Sequence, residues 1–353
     1  MGALRGYVAV HSQGLGHATR AVALARDLQK ARPDLELLFL AGVPALDLVV
    51  ASGFDAMPLP PAPDWPLRDG ALGPVRSWYV DYARYLRVAR RFLRKEGDWG
   101  SVRFLVSDGE LASVVEAVRR RIPTALVLNT VRHAFARDLP SRILEAAGNA
   151  WFARLARQVD LVLVADEAPP WPNVRRIGPV VRAFGASREK VREDLVFLKR
   201  TILVTPGGTA IGEALVRASI RAFRELDLPD ASMVVVTGPK LRVEPAPGVY
   251  VYGFVPNLQD YVLAADLVIT TAGKGTLGEA LAAGTPVLAI PPAGHVEAEA
   301  NARALGFAPG DLHRLRELIP QALAEGRRPP QTPGNAEALA HLLGFLGSPG
   351  LGR

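Results

Sequence analysis

Gly273-Lys-Gly-Thr276 stands where an apolar run, Leu267 to Thr270, gives way to Leu277-Gly-Glu-Ala-Leu-Ala-Ala-Gly284. The run has no polar alternation, as befits a parallel strand buried on both faces, and the segment after it has helical composition. A glycine turn between such a strand and helix aims backbone N–H groups, and the positive end of the helix dipole, at whatever lies above it. That is phosphate chemistry. Glu279 lies three residues beyond Thr276, one turn into the helix, so its carboxylate can project from the loop end and accept hydrogen bonds from a sugar diol. After the next strand, within Gly284 to Pro291, the loop Gly294 to Glu299 brings further polar groups to the same carboxyl edge, where open α/β sheets bind ligands. The run Thr201 to Thr205 and the turn Pro206-Gly-Gly-Thr209 repeat the device. Gly208 and Thr209, with Gly275 and Thr276, thus suit the diphosphate of a nucleotide carrying a second polar group. The competing reading is a pair of tight βα turns in which glycine is required sterically.

Other nucleotide motifs fit less well. Gly273 to Gly278 satisfies GxGxxG after a strand, but the dinucleotide fingerprint also wants an acidic residue ending the next strand. That strand ends in Ile290-Pro-Pro292. A P-loop needs Ser or Thr after Gly-Lys, and Gly275 occupies that place.

The strand, the GxGT turn, the glutamate early in the helix, Ala283-Gly-Thr-Pro-Val-Leu-Ala-Ile-Pro291 and the acidic residues before Asn301-Ala-Arg-Ala-Leu305 together resemble the donor-binding half of GT-B glycosyltransferases. The likeness is to the bacterial and archaeal members akin to the peptidoglycan N-acetylglucosaminyltransferase, with a family 28-like C-terminal domain, and to the UDP-glycosyltransferases. It implies two Rossmann-like, doubly wound α/β domains facing each other across a cleft. Glu279 matches the family's ribose-binding glutamate; a glutamate answering only the helix dipole is the alternative, worth about 0.3–1 kcal/mol. Phe254 and Val255 sit where relatives hold the base by stacking and backbone hydrogen bonds, and Glu297 matches the acidic residue that contacts donor sugar hydroxyls. The glutamine usual after it is Ala298 here, so Glu299 or Asn301 is expected to compensate.

On the acceptor side, His17 follows the first strand, Tyr7 to His11, at the head of a helix. Gly14-Leu-Gly-His17 resembles the loop whose histidine commonly deprotonates the acceptor in these enzymes; a structural cap over the glycine turn is the alternative. Asp108, ending the strand Val102 to Ser107, matches the aspartate that orients this histidine, and could hold the imidazole in the right tautomer. The implied reaction is a metal-independent, inverting transfer of a sugar from a nucleotide-sugar, UDP-linked, to a hydroxyl acceptor such as a lipid or cell-envelope glycan. Two other functions stay open: a catalytically silent nucleotide-sugar-binding protein, for which Ala298 speaks, and a UDP-sugar 2-epimerase, whose charged motif near the N-terminal loop is not found.

The elements that must position these residues fit the plan. At 353 residues the chain suits two domains. They are expected at 1–178 and 179–334, with Ile177-Gly-Pro-Val180 resembling the crossover, and with residues 335–353 as a helix packing back on the first domain. Hydrophobic residues at 49% and charged residues at 22% describe a soluble globular protein. No stretch reaches the ~18 apolar residues of a membrane span, and the first residues have no signal-peptide pattern. A cytoplasmic protein is expected, with no nucleic-acid partner and no cofactor beyond the co-substrate. Zero cysteines exclude disulfides and thiolate sites, and the 6 histidines offer no zinc spacing. Of the net charge of +7, residues 1–177 hold most, with 24 Lys+Arg against 18 Asp+Glu. Within them Arg76 to Lys95 reads as a helix with Trp78, Tyr82, Tyr85, Ala89 and Phe92 at helical spacing and Arg84, Arg87, Arg91 and Arg94 on another side. It is either an element that meets an anionic membrane face or a long helix with packed aromatics and solvated arginines.

Overall fold

The computed structural model describes residues 3–68, 71–165, 168–208 and 210–347. They form two compact units, one of residues 1–66, 74–180 and 334–353, the other of 67–73 and 181–333.

The first unit is a parallel sheet with helices on both faces. Its chain order is β1 (Leu4–Val10), α1 (Gly16–Ala31), β2 (Leu35–Ala41), α2 (Ala45–Ala51) and β3 (Ala56–Pro58). A short antiparallel pair, β4 (Leu67–Arg68) and β5 (Ala71–Leu72), belongs to the second unit; the first resumes with α3 (Arg76–Glu96), β6 (Phe104–Asp108), α4 (Leu111–Arg119), β7 (Thr124–Leu128), α5 (Leu139–Ala156), β8 (Leu161–Val164) and β9 (Val174–Arg176). The strand order is β3-β2-β1-β6-β7-β8-β9. The order reverses at β1, whose Val10 lies opposite Asp108 of β6. A reversal of this kind leaves the carboxyl ends of two neighbouring strands without a helix crossing over them, which is where such sheets bind ligands.

Apolar runs without alternation make these strands, since both faces are covered. Tyr7, Ala9, Leu105 and Leu126 pack on one side with Tyr85, Ala89 and Leu93 of α3 and Ala112, Val114 and Ala117 of α4. Val8, Val106 and Val127 share the other side with Ala21, Leu24, Ala25 and Leu28 of α1. The last helix of the chain, α12 (Asn335–Leu346), lies on α1, and its Asn335 donates to Asp27 at 3.0 Å. In α3, Tyr85 is buried in the core and Arg84 and Arg87 are exposed, whereas Arg94 pairs with Glu116. Glu116 of α4 is fully buried among Arg90 and Arg94 of α3, Arg119 of α4 and Arg120 just after it, all at 2.6–3.1 Å.

The second unit repeats the plan on five parallel strands. In order these are α6 (Arg188–Asp194), β10 (Arg200–Thr205), α7 (Glu213–Leu226), β11 (Ala231–Val236), β12 (Val249–Tyr252), α8 (Leu258–Ala264), β13 (Leu267–Thr270), α9 (Lys274–Ala283), β14 (Val287–Ala289), α10 (Val296–Arg303) and α11 (Leu315–Glu325). The sheet order is β12-β11-β10-β13-β14, with its reversal at β10 and β13. Those are the strands that carry the two glycine turns. Ile202 and Val204 of β10 face one cluster with Leu215 and Val216 of α7, while Leu203 faces another with Val262 of α8 and Ala280 of α9. Among the described residues no helix is long and apolar enough to cross a membrane.

One element differs from the sequence reading: Gly275 and Thr276 were expected in the turn before the helix, but α9 starts at Lys274, so both lie in its first turn. α5 begins at Leu139, where the Asp138 side chain accepts from the Ser141 N–H and Pro140 occupies an early helical position that suits it.

Candidate active site

In the first unit, the reversal brings His17 and Asp108 together. Asp108 ends β6, and His17 occupies the first turn of α1, reached from β1 through the short Ser12–Leu15 connection. The imidazole Nδ1 lies 2.7 Å from Asp108 Oδ1. An ionised carboxylate only accepts, so Nδ1 carries the proton, and in the neutral ring Nε2 is left as an acceptor. The His17 side chain is 30% exposed and that of Asp108 2%, which leaves the histidine reachable and its partner shielded. Gly109, at φ +71°, makes room for this pair: a Cβ there would stand 3.1 Å from the imidazole Cε1.

Two neighbours were not foreseen. Arg20, also on α1, clamps Asp108 through Nε and Nη2, both at 2.6 Å, and its Nη1 reaches Asn129 Oδ1. The only sequence signal was its i,i+3 spacing from His17, which puts both on one helix face. Burial works against a charged Asp108, but the Arg20 guanidinium, and after it the His17 hydrogen bond, outweigh it and hold the carboxyl below the usual range. His11 is the second neighbour. Its Nδ1 accepts the Gln13 N–H at 3.1 Å, and its ring centre lies 5.5 Å from that of His17 and 5.9 Å from that of Tyr82. Burial, and then His17, push the His11 pKa down to about 3, so it is neutral. From Tyr82 the rings continue through Trp78 to Trp65, at 4.9 and 4.7 Å between centres, so an aromatic column runs from the site along α3.

In the second unit, the reversal brings the two glycine turns together. Thr271, after β13, donates its hydroxyl to Pro206 O, after β10, at 3.1 Å. Gly208 is buried in the first turn; Thr209 lies outside the described residues. Gly275 and Thr276 are half-buried in the opening turn of α9, where N–H groups have no intrahelical acceptor. Ala272 holds φ +63°, costly for a residue with a Cβ. Its carbonyl accepts from Asn301 Nδ2 of α10 at 3.0 Å.

Glu279 was expected to project openly from the loop end. It is instead 2% exposed, its Oε1 receiving Arg182 Nε at 2.9 Å. Arg182 Nη1 donates to Pro256 O at 2.6 Å, so this one arginine ties Glu279 to the turn that holds Phe254 and Val255. Both of those are half-buried, and Val255 packs against the core. Glu297 is half-buried in the first turn of α10. Neither suggested substitute for the missing glutamine is open: Glu299 Oε1 accepts the Gly294 N–H at 2.6 Å, and the Asn301 amide holds Ala272.

Comparison with known proteins agrees with this architecture. Residues 201–327 match the glycosyltransferase family 28 C-terminal domain. The chain is 30% identical over 346 residues, 92% of its length and 81% of the relative's, to the UDP-N-acetylglucosamine--N-acetylmuramyl-(pentapeptide) pyrophosphoryl-undecaprenol N-acetylglucosamine transferase of Mycolicibacterium vanbaalenii. It is 28% identical over 316 residues, 83% of its length and 79% of the relative's, to an uncharacterized glycosyltransferase of Methanosarcina acetivorans. Among solved structures, the calicheamicin glycosyltransferase CalG4 superposes with a TM-score of 0.63 at 17% identity, covering 98% of this chain and 99% of that one. The spinosyn rhamnosyltransferase SpnG complexed with thymidine diphosphate does so with a TM-score of 0.60 at 18% identity, covering 97% and 96%. With its two parallel α/β sheets and this degree of likeness, the chain belongs to the GT-B glycosyltransferases with a family 28 C-terminal domain, the group that includes the UDP-N-acetylglucosamine transferase named above.

Proposed function

We propose that this glycosyltransferase moves a sugar from a UDP-linked donor to a hydroxyl acceptor by a single inverting displacement that needs no metal ion. The observation that carries the reading is the 2.7 Å contact between His17 Nδ1 and Asp108 at the reversal of the first sheet. His17 Nε2 takes the proton of the acceptor hydroxyl, and the O–H bonding pair becomes the new glycosidic bond. The bond from the anomeric carbon to the diphosphate breaks, its pair leaving on the phosphate oxygen. Asp108 stabilises the imidazolium that forms. On the second unit, the first-turn N–H groups around Gly275 and Thr276 receive the developing phosphate charge, helped by Gly208 and Thr209. Glu279 accepts from the ribose hydroxyls, Phe254 and Val255 meet the base, and Glu297 the sugar.

Donor binding can be tested apart from turnover. A ligand that binds only the folded protein stabilises it by RT ln(1 + [L]/Kd), about 2.7 kcal/mol at a hundredfold excess over Kd. UDP or a UDP-sugar is expected to raise the melting temperature of the parent and to raise that of Glu279→Gln far less. The change on adding ligand is the readout, because the variant also takes a partner from Arg182 and so lowers the unliganded baseline. No response to any nucleoside diphosphate or nucleotide-sugar would remove the donor half of the reading.

The acceptor side also favours a peripheral membrane setting, on the cytoplasmic face, with a lipid-linked hydroxyl as acceptor. Leu139 and Ile143 of α5 are 71% and 62% exposed, one turn apart, with Arg137 and Arg142 exposed beside them. Vesicles containing anionic lipid are expected to retain the protein in a salt-sensitive way, neutral vesicles much less. Leu139→Glu with Ile143→Glu should weaken retention on the order of tenfold or more, given ~1.5–3 kcal/mol for each apolar side chain removed from water. Equal partitioning of parent and variant onto anionic vesicles would refute the contact.

A further inference from the structure

The base assigned above is held by a carboxylate that is itself held. Arg20 is 8% exposed and Asp108 1%, so the clamp between them is shielded from water. Its geometry is a fork, with Nε to Oδ2 and Nη2 to Oδ1, both at 2.6 Å, and two parallel bonds fix the plane of the carboxylate as one bond cannot. Oδ1 is shared with His17 at 2.7 Å, so the direction in which the imidazole is gripped follows from the direction in which the guanidinium grips the carboxylate. Nη1 spans to Asn129, just beyond β7, and pins the guanidinium from its far side.

The groups around His17 leave this role to Arg20. From β1, His11 presents a neutral ring whose Nδ1 is spent on the Gln13 N–H. From α3, Tyr82 stacks on His11, and the field of His133 also bears on His11. Asn129 is uncharged. The Arg20 guanidinium and the Asp108 carboxylate are thus charges held beside the imidazole, and they offset one another.

We propose that Arg20 is a positioning residue of the transfer reaction: it locks Asp108 so that His17 keeps its proton on Nδ1 and presents Nε2 to the acceptor. Arg20 itself neither gives nor takes a proton. The inference rests on the reading of His17 as the base.

Three forms decide it: the parent, Arg20→Gln and Arg20→Lys. Two readouts apply, the pH profile of kcat/KM and the ¹⁵N imidazole spectrum, in which His17 is assigned by its loss in His17→Gln. Arg20→Gln is expected to lower kcat roughly 10- to 100-fold, the scale of a misplaced catalytic group, with acceptor KM within about threefold of the parent. Its acid limb should rise by on the order of one pH unit, because loss of a buried cation favours proton uptake by the carboxylate–imidazole pair. Its spectrum should show mixed tautomers in place of Nδ1–H. Arg20→Lys keeps the charge but not the fork; it should retain the limb and lose less in kcat. A folded Arg20→Gln with an unmoved limb and an unchanged imidazole spectrum would overturn the proposal. If that variant does not fold, Arg20→Lys decides alone: mixed tautomers with a lowered kcat would support the proposal, because the fork is what lysine lacks, and a parent-like imidazole spectrum with parent-like kcat would overturn it. The spectrum needs no turnover, so a parent that transfers no sugar would count against His17 as the base and leave the Arg20 contact to be judged separately.

Discussion

Replacing His17 by glutamine is expected to lower kcat for sugar transfer by about 10²–10⁴-fold, the usual worth of a positioned general base. Glutamine is close in length, and its amide can still donate to Asp108, so α1 should keep its start. It has no ring nitrogen to take the hydroxyl proton. The donor groups lie in the other unit, so the thermal response to UDP should be that of the parent. Asp108→Asn is the companion change. It places an amide between His17 and Arg20, offers the guanidinium a poorer partner and invites the wrong imidazole tautomer. Steady-state kinetics beside a nucleotide thermal shift separate the two effects. A His17→Gln enzyme within tenfold of the parent in kcat would assign His17 the structural role of capping the glycine turn and leave the base elsewhere.

What was legible in the sequence follows from what each residue contributes locally. Buried strands announced themselves as apolar runs, and the glycines after β10 and β13 marked turns, so two doubly wound sheets could be anticipated, while the order of their strands came from the structure. His17 and Asp108 could be matched because one opens the helix after the first strand, in a Gly14-Leu-Gly-His17 loop that resembles the family's, and the other ends its own strand. Arg20 and Arg182 could not. Their partners lie 88 and 97 residues away, and an arginine bound for a buried carboxylate looks in sequence like any surface arginine. The clamp on Glu279 had the same cause. The start of α9 was misplaced because Gly275 has poor helix propensity, which the packing of Leu277 and Ala280 overrides. The start of α5 is faint in the sequence because Leu139 and Ile143 face water, so the apolar periodicity that marks a helix by its buried stripe begins only later. Its Asp138-Leu-Pro140 cap was readable all the same.

The largest stability effect is expected at Glu116, far from any chemistry. Its carboxylate has no exposed surface, and four guanidinium groups converge on it, from Arg90, Arg94, Arg119 and Arg120. Burial alone would raise its pKa; the hydrogen bonds from Arg94, Arg90 and Arg120 outweigh burial and bring it to about 2. Removing one partner of a buried ion pair costs about 3–5 kcal/mol, because the other charge is left without compensation. Here the arginines are 23–53% exposed and can turn partly to water, so Glu116→Gln should cost less, about 2–4 kcal/mol. At about 2–4 °C per kcal/mol, the transition of the first unit should fall by roughly 5–15 °C at pH 7. The pH dependence fixes the cause. The folded-state pKa lies below the ordinary value of 4.5, so this stabilisation is complete above that value and is lost as pH falls toward 2. The melting temperatures of parent and Glu116→Gln should therefore differ most near neutrality and converge between about pH 4.5 and pH 2. Calorimetry across that range gives the answer: a difference that persists unchanged to pH 2 would point to packing at α3 and α4, and one under 2 °C at pH 7 would mean that the arginines hold those helices together without Glu116.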